Sequence, residues 1–328
     1  MTAKIGIIGA GAWGTSLAAT VAGKNSDVLI WAFEKETANN INLRHENPDF
    51  LPGIAIPPAV TATGDITRLA DRDFILLVAP CQHVRSIIAP LCDYAGTMVI
   101  CCKGIEVATG KLVSDVIAEV MPNAAAAVLA GPQFAKEVAL KLPTATTLAC
   151  KDPERGAYLI ENIASPYFRP YYSDDVIGVQ LCGALKNVIA IGAGMVEGAN
   201  LGENAKAALI TRGMAEIVRL GKKMGARSET FLGLSGIGDL MLTANSRSSR
   251  NYSTGYALGQ GQTIGEIMRD RKTVSEGVPT TKAAVALADR YGIDMPITYA
   301  INNIIDGKSD LKTTLKELMS RPFKKENC

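Results

Sequence analysis

An N-terminal α/β domain on a doubly wound, mainly parallel sheet, followed by an all-helical C-terminal domain, is the fold class the sequence predicts. Three observations predict it. Short β-rich runs separated mostly by helical stretches recur up to about residue 172, a glycine-rich strand–turn–helix signature opens the chain, and long stretches of helical periodicity then continue without a convincing strand. Strands alternating with helices imply βαβ crossovers and therefore parallel pairing.

The runs fall at 4–8, 28–32, 74–78, 98–101, 126–129, 145–149 and 168–172. Helical periodicity then dominates, as at 206–224, 281–291 and 311–319. The change of pattern near Ser173-Asp174-Asp175 sets the expected domains at 1–175, which binds dinucleotide, and 176–328, which binds substrate. No Gly/Ser- or Pro-rich linker marks it. Two domains also suit the length, because 328 residues exceed what one core usually organises, roughly 250.

Hydrophobic residues make up 48% and charged residues 20%, so a substantial core is available. Lys and Arg number 34 against 32 Asp and Glu, a net charge of +2 that gives no broad field for nucleic acid or an anionic membrane. Seven cysteines, two of them the adjacent Cys101-Cys102, suit reduced thiols in a cytosol and show no metal-ligand spacing. The chain opens directly on a strand, without a leader's basic and apolar regions, so a cytoplasmic location is expected. The stretch 176–196 is apolar enough to imitate a membrane span but holds Lys186 near its middle, costly in a bilayer at about 2.5 to 3.5 kcal/mol. A buried helix without membrane insertion is expected there.

The signature itself is Gly9-Ala10-Gly11-Ala12-Trp13-Gly14, after the strand at 4–8 and before the small-residue helix from Thr15. This is the Rossmann dinucleotide fingerprint in its required context. Gly9 permits the tight turn, Gly11 the approach to a pyrophosphate, and Gly14 close helix–strand packing. The phosphates then meet the helix N-terminal N–H groups. Glu34 lies twenty residues after Gly14, at the end of the second strand, where a carboxylate accepts a ribose hydroxyl and disfavours a 2′-phosphate. Phe33 beside it is either an adenine platform or core.

With only His45 and His83 in the chain, hydride transfer to a ketone needs another proton donor, and a lysine can serve. Lys186 interrupts an otherwise uncharged helix; its alternative is snorkelling to solvent or pairing with a structural carboxylate. Lys103, in Cys102-Lys103-Gly104, follows a sheet strand, with an exposed loop lysine as its alternative. Asp239, in Gly236-Ile237-Gly238-Asp239, is a ligand contact or a helix N-cap. Ser246-Arg247-Ser248-Ser249-Arg250-Asn251 reads as a phosphate cradle, because guanidinium binds phosphate in a fork, or as a solvated polar loop.

Taken together, and in this order, these motifs resemble the NAD(P)-dependent glycerol-3-phosphate dehydrogenase family from Ile5 to about Leu318. Further segments that carry the likeness are Ala130-Gly131-Pro132-Gln133-Phe134-Ala135-Lys136-Glu137, Gly183-Ala184-Leu185-Lys186-Asn187 and Ser275-Glu276-Gly277. The resemblance implies reversible reduction of dihydroxyacetone phosphate to sn-glycerol 3-phosphate, supplying glycerophospholipid synthesis, by a cytoplasmic homodimer. It implies Lys186 as general acid/base, with Lys103 and Asp239 completing the catalytic centre. It implies substrate contacts at Lys103, Gly131, Lys186, Asp239, Ser249, Arg250 and Asn251. Cofactor contacts would come from Gly9, Gly11, Ala12, Trp13, Gly14, Phe33, Lys103, Ala135, Arg250, Val274 and Glu276.

Two positions depart from the common bacterial pattern. Phe33 stands where a basic residue is frequent, so NAD(H) is the expected cofactor with NADP(H) left open, and Gln133 replaces a smaller polar residue. The competing readings are a β-hydroxyacid or ketopantoate reductase, which would need a carboxylate clamp in place of the Arg250 loop, and a nicotinamide-sensing regulatory protein, which need not assemble the two lysines and Asp239.

Overall fold

A computed structural model describes residues 3–269, 275–323 and 325–326. The chain divides into two compact units, Met1–Gly183 with Gly225–Asp239, and Ala184–Met224 with Leu240–Cys328. The first unit is thus not the contiguous stretch 1–175 that the change of pattern marks. The division falls inside the helix Val176–Gly198, and a later segment returns to the first unit. Asp175 explains the return: its carboxylate accepts hydrogen bonds from Gly178 N at 2.9 Å, Arg227 N at 2.9 Å and Thr230 Oγ1 at 2.6 Å. It caps the start of that helix and pins the returning segment together.

In the first unit, β1 (Lys4–Ile8), β2 (Asp27–Trp31), β3 (Val60–Thr63), β4 (Phe74–Leu77), β5 (Thr97–Ile100), β6 (Ala125–Ala130), β7 (Thr144–Cys150) and β8 (Phe168–Ser173) form one sheet. Its order is β3-β2-β1-β4-β5-β6-β7-β8. All pairs are parallel except β6–β7. The seven expected strands are therefore present to within about a residue at each end, and the expectation of a mainly parallel sheet holds. β3 was not expected: Val60-Thr61-Ala62-Thr63 is four residues long at the sheet edge, too short and polar to show an apolar run.

The strands are near-continuous hydrophobic runs because both faces are covered. Ile5, Ile7, Val28, Ile30, Phe74 and Leu76 enter one core layer with Leu17 and Val21 of the helix Ala12–Val21. Ile8, Leu29, Ile75, Leu77, Met98 and Ile100 enter the other. The chain runs from β1 outward to β3 and then crosses back to β4 on β1's other side, a topological switch that opens a crevice beyond the strands' carboxyl ends.

The second unit is helical throughout its described residues, as the sequence predicts. Its helices are Glu203–Lys223, Arg250–Gly259, Ile264–Arg269, Gly277–Tyr291, Pro296–Ile305 and Leu311–Met319, with the later parts of Val176–Gly198 and Asp239–Ala244. Val188, Ile191, Met195, Leu258, Ile267, Ile301 and Ile305 make its core. Glu216, 1% exposed, accepts from Ile297 N at 2.6 Å and from Thr298 N and Oγ1 at 3.0 and 2.8 Å, capping a helix that has no side-chain cap of its own. Burial pushes its carboxyl above the usual range despite those donors. The apolar helix Val176–Gly198 is almost wholly buried, as expected of a core helix.

Candidate active site

The dinucleotide loop lies where β1 ends, at the switch point. Gly9 adopts φ +108°, a conformation costly for any side chain, and its N–H donates to Trp31 O at 3.1 Å. A Cβ at Gly14 would stand 1.8 Å from Gly9 O, so the helix Ala12–Val21 reaches the turn only because residue 14 is glycine. Around Gly11 nothing comes within 4 Å of such a Cβ, and the residue caps the helix in extended conformation without a side-chain bond. The amides of the first turn, which lack intrahelical acceptors, are left to a ligand. The open space at Gly11 and the positive end of the helix suit a pyrophosphate's negative charge.

Around it stand the other expected cofactor positions of this unit. Trp13 packs on Phe168 with ring centroids 6.5 Å apart. Phe33 is 82% exposed at the end of β2, its ring edge-on to Trp31, so the core alternative is set aside. Glu34 is exposed at the start of the helix Lys35–Arg44 and makes no capping bond with its side chain. Ala135 opens the short helix Ala135–Ala139.

Lys103 and Asp239 meet in the first unit. Lys103 Nζ donates to Asp239 Oδ2 at 2.6 Å and approaches Gly131 O at 3.5 Å; the side chains are 19% and 1% exposed. The exposed-loop reading of Lys103 is therefore excluded, and Asp239 is more than a helix start. Gly131 is fixed by Thr146, whose Oγ1 would lie 2.8 Å from a Cβ there. Gln133 is buried with neither amide atom hydrogen-bonded, and Thr146 Oγ1 likewise lacks a partner. The sequence gives no sign of the Thr146 contact, which crosses from β6 to β7.

In the second unit Lys186 is 5% exposed and donates to Thr243 Oγ1 at 2.5 Å. Snorkelling is excluded by that burial. Thr243 is the partner that the sequence reading missed; its only signal was its place four residues after Asp239. Ser249 is a helix N-cap, accepting from Tyr252 N at 3.3 Å, and opens the helix Arg250–Gly259. Arg250 is exposed, while Asn251 is buried with Oδ1 accepting from Ser275 Oγ at 2.7 Å and Gly277 N at 2.9 Å. The 246–251 stretch is thus tied into the fold and not a free polar loop. Glu276 stands at the start of the helix Gly277–Tyr291 without a capping bond from its side chain. Val274 lies outside the described residues, and His83 is exposed in a short turn.

The chain matches two family models, described as the NAD-dependent glycerol-3-phosphate dehydrogenase N-terminus, over residues 4–156, and C-terminus, over residues 175–316. It is 51% identical over 326 residues to a glycerol-3-phosphate dehydrogenase (NAD(P)+) of Parvibaculum lavamentivorans, covering 98% of each chain. The crystal structure of a glycerol-3-phosphate dehydrogenase from Coxiella burnetii superimposes with a TM-score of 0.92 at 36% identity, covering 98% of this chain and 99% of that one. A ketopantoate reductase from Ralstonia eutropha shares the fold alone, with a TM-score of 0.63 at 15% identity over 96% of this chain and 99% of its own. With both halves matched and identity above half along nearly the whole chain, this protein belongs to the NAD-dependent glycerol-3-phosphate dehydrogenase family of oxidoreductases.

Proposed function

We propose that the protein reversibly reduces dihydroxyacetone phosphate to sn-glycerol 3-phosphate with NAD(P)H. The observation that carries the reading is Lys186: a lysine almost completely buried in an apolar helix and hydrogen-bonded to a threonine hydroxyl is poised for proton transfer and is poorly explained as scaffolding. Bound NADH supplies the hydride that reaches the carbonyl carbon. Gly9, Gly11, Ala12, Trp13 and Gly14 would hold its pyrophosphate, and Phe33, Lys103, Ala135, Arg250, Val274 and Glu276 would complete its contacts.

As the carbonyl oxygen gains negative charge, Lys186 Nζ passes it a proton and the product hydroxyl forms; in the oxidative direction the neutral amine takes that proton back. Lys103, its ammonium held by Asp239, steadies the developing charge, a fixed cation being worth more in a dry site than in water. Gly131 touches substrate, and the partnerless amide of Gln133 offers it further hydrogen bonds. Ser249, Arg250 and Asn251 hold the phosphate, the guanidinium as a fork and the helix start as a positive dipole end. The family resemblance supports the rest of the picture: a cytosolic homodimer supplying glycerophospholipid synthesis.

Following NADH absorbance with pure protein tests the reading. Dihydroxyacetone phosphate drives oxidation, whereas pyruvate, oxaloacetate and ketopantoate do not. Brisk turnover of one of those carboxylates, with none of the phosphate ester, contradicts it.

A further inference from the structure

The stretch that holds the phosphate contacts is anchored at both ends by one carboxylate. Glu197, near the end of the helix Val176–Gly198, accepts from Arg247 Nη2 through Oε1 at 3.1 Å. Its Oε2 accepts from Lys206 Nζ at 3.0 Å and from the Tyr252 hydroxyl. Arg247 and Tyr252 flank Ser249-Arg250-Asn251 on either side in the sequence. The donor side chains are themselves stacked: Lys206 Nζ lies 5.4 Å from the Tyr252 ring centroid, and the Arg247 guanidinium 5.0 Å from that of Tyr256. The Tyr252 hydroxyl, with the two cations, brings the Glu197 carboxyl down to about 2, so it is ionised at neutral pH.

Glycines bring the two helices close enough for this. A Cβ at Gly194 would stand 2.1 Å from Tyr252 O and one at Gly198 2.1 Å from Tyr256 O. From the other helix, a Cβ at Gly255 would stand 1.9 Å from Ile191 O and one at Gly259 2.3 Å from Met195 O. Backbone packed on backbone leaves no slack for sliding, and it places Glu197 beside the start of the helix Arg250–Gly259.

We propose that Glu197 is a positioning residue for the substrate phosphate: by holding Arg247 and Tyr252 it fixes the Ser249–Asn251 stretch where those residues grip the phosphate. The proposal rests on the reading of Ser249, Arg250 and Asn251 as phosphate contacts. Arg250 is exposed, and a stretch fixed before substrate arrives spends no binding energy on ordering it. Glu197 touches neither substrate nor cofactor in this scheme, and its effect passes through the stretch that it holds.

Steady-state kinetics of the full chain on dihydroxyacetone phosphate and on phosphate-free dihydroxyacetone tests this. Glu197→Ala raises KM for the phosphate ester about tenfold with kcat changed less than about twofold, and leaves kcat/KM for dihydroxyacetone within about twofold of wild type. Equal losses on both substrates make Glu197 merely structural, and no loss on either leaves the stretch held without it; both outcomes overturn the proposal. Should Glu197→Ala not fold, Tyr252→Phe and Arg247→Ala each remove one arm, and a selective rise in KM for the phosphate ester, about threefold, is then required of both. Because Arg250 is also an expected cofactor contact, Arg250→Ala, assayed with NADH saturating for the variant, is the control for the underlying reading. If it loses both substrates equally, the phosphate assignment fails; if it loses only the phosphate ester while Glu197→Ala loses nothing, the assignment stands and the positioning role fails.

Discussion

At the scale of single residues, the general acid/base role proposed for Lys186 says what losing it does. Lys186→Ala lowers kcat about 10²- to 10⁴-fold, the usual contribution of a general acid. NADH affinity by fluorescence titration stays within about twofold, because the proposed pyrophosphate cradle runs from Gly9 to Gly14. A folded variant that binds NADH and keeps near-normal kcat returns Lys186 to a structural role. Glu34 sets the second expectation. In the role proposed for it, its exposed carboxylate just beyond β2 would accept a ribose hydroxyl and repel a 2′-phosphate, so the expected kcat/KM is higher with NADH than with NADPH. Equal or better use of NADPH shows that Glu34 points elsewhere. Lys186 was legible because one cation in an apolar helix breaks a pattern. Thr243 and Thr146 were not, because an ordinary threonine gains its meaning only from the neighbour that folding brings to it.

Elements depend on close approaches more than on apolar area. At Gly14 the overlap with Gly9 O is with backbone and not with a side chain that could turn away, so Gly14→Ala must move the helix or the turn. The expected cost is about 1 to 3 kcal/mol of stability, read as a lower melting temperature, together with loss of NADH binding by titration. A variant that melts and binds as wild type means that the loop relaxes freely and that its glycine spacing is not what shapes the cradle. The fingerprint was readable because glycine spacing records backbone geometry directly. β3 was not readable, since its place in the sheet comes from pairing with β2 and not from an apolar run of its own. The glycines that join Val176–Gly198 to Arg250–Gly259 stand in plain view in the sequence, yet which helix faces which is a tertiary fact.

For the whole molecule, the succession of strands and helices gave the two-part architecture, and only the division was placed differently. A reading along the chain sees a single change of pattern near residue 175. It cannot see that Asp175 gathers Gly178, Arg227 and Thr230, which brings Gly225–Asp239 back to the first unit with Asp239 at its end. That return delivers Asp239 to Lys103, so the same hydrogen bonds that blur the domain boundary also build part of the candidate site. The central claim, that this assembly adds hydride and proton to the ketone of dihydroxyacetone phosphate, is tested most directly by product analysis. Pure protein is incubated with NADH and dihydroxyacetone phosphate, and NADH consumed is compared with sn-glycerol 3-phosphate formed. The account predicts equal amounts of the two, with sn-glycerol 1-phosphate absent from the products; NADH consumption without sn-glycerol 3-phosphate, or no consumption at all, would contradict it.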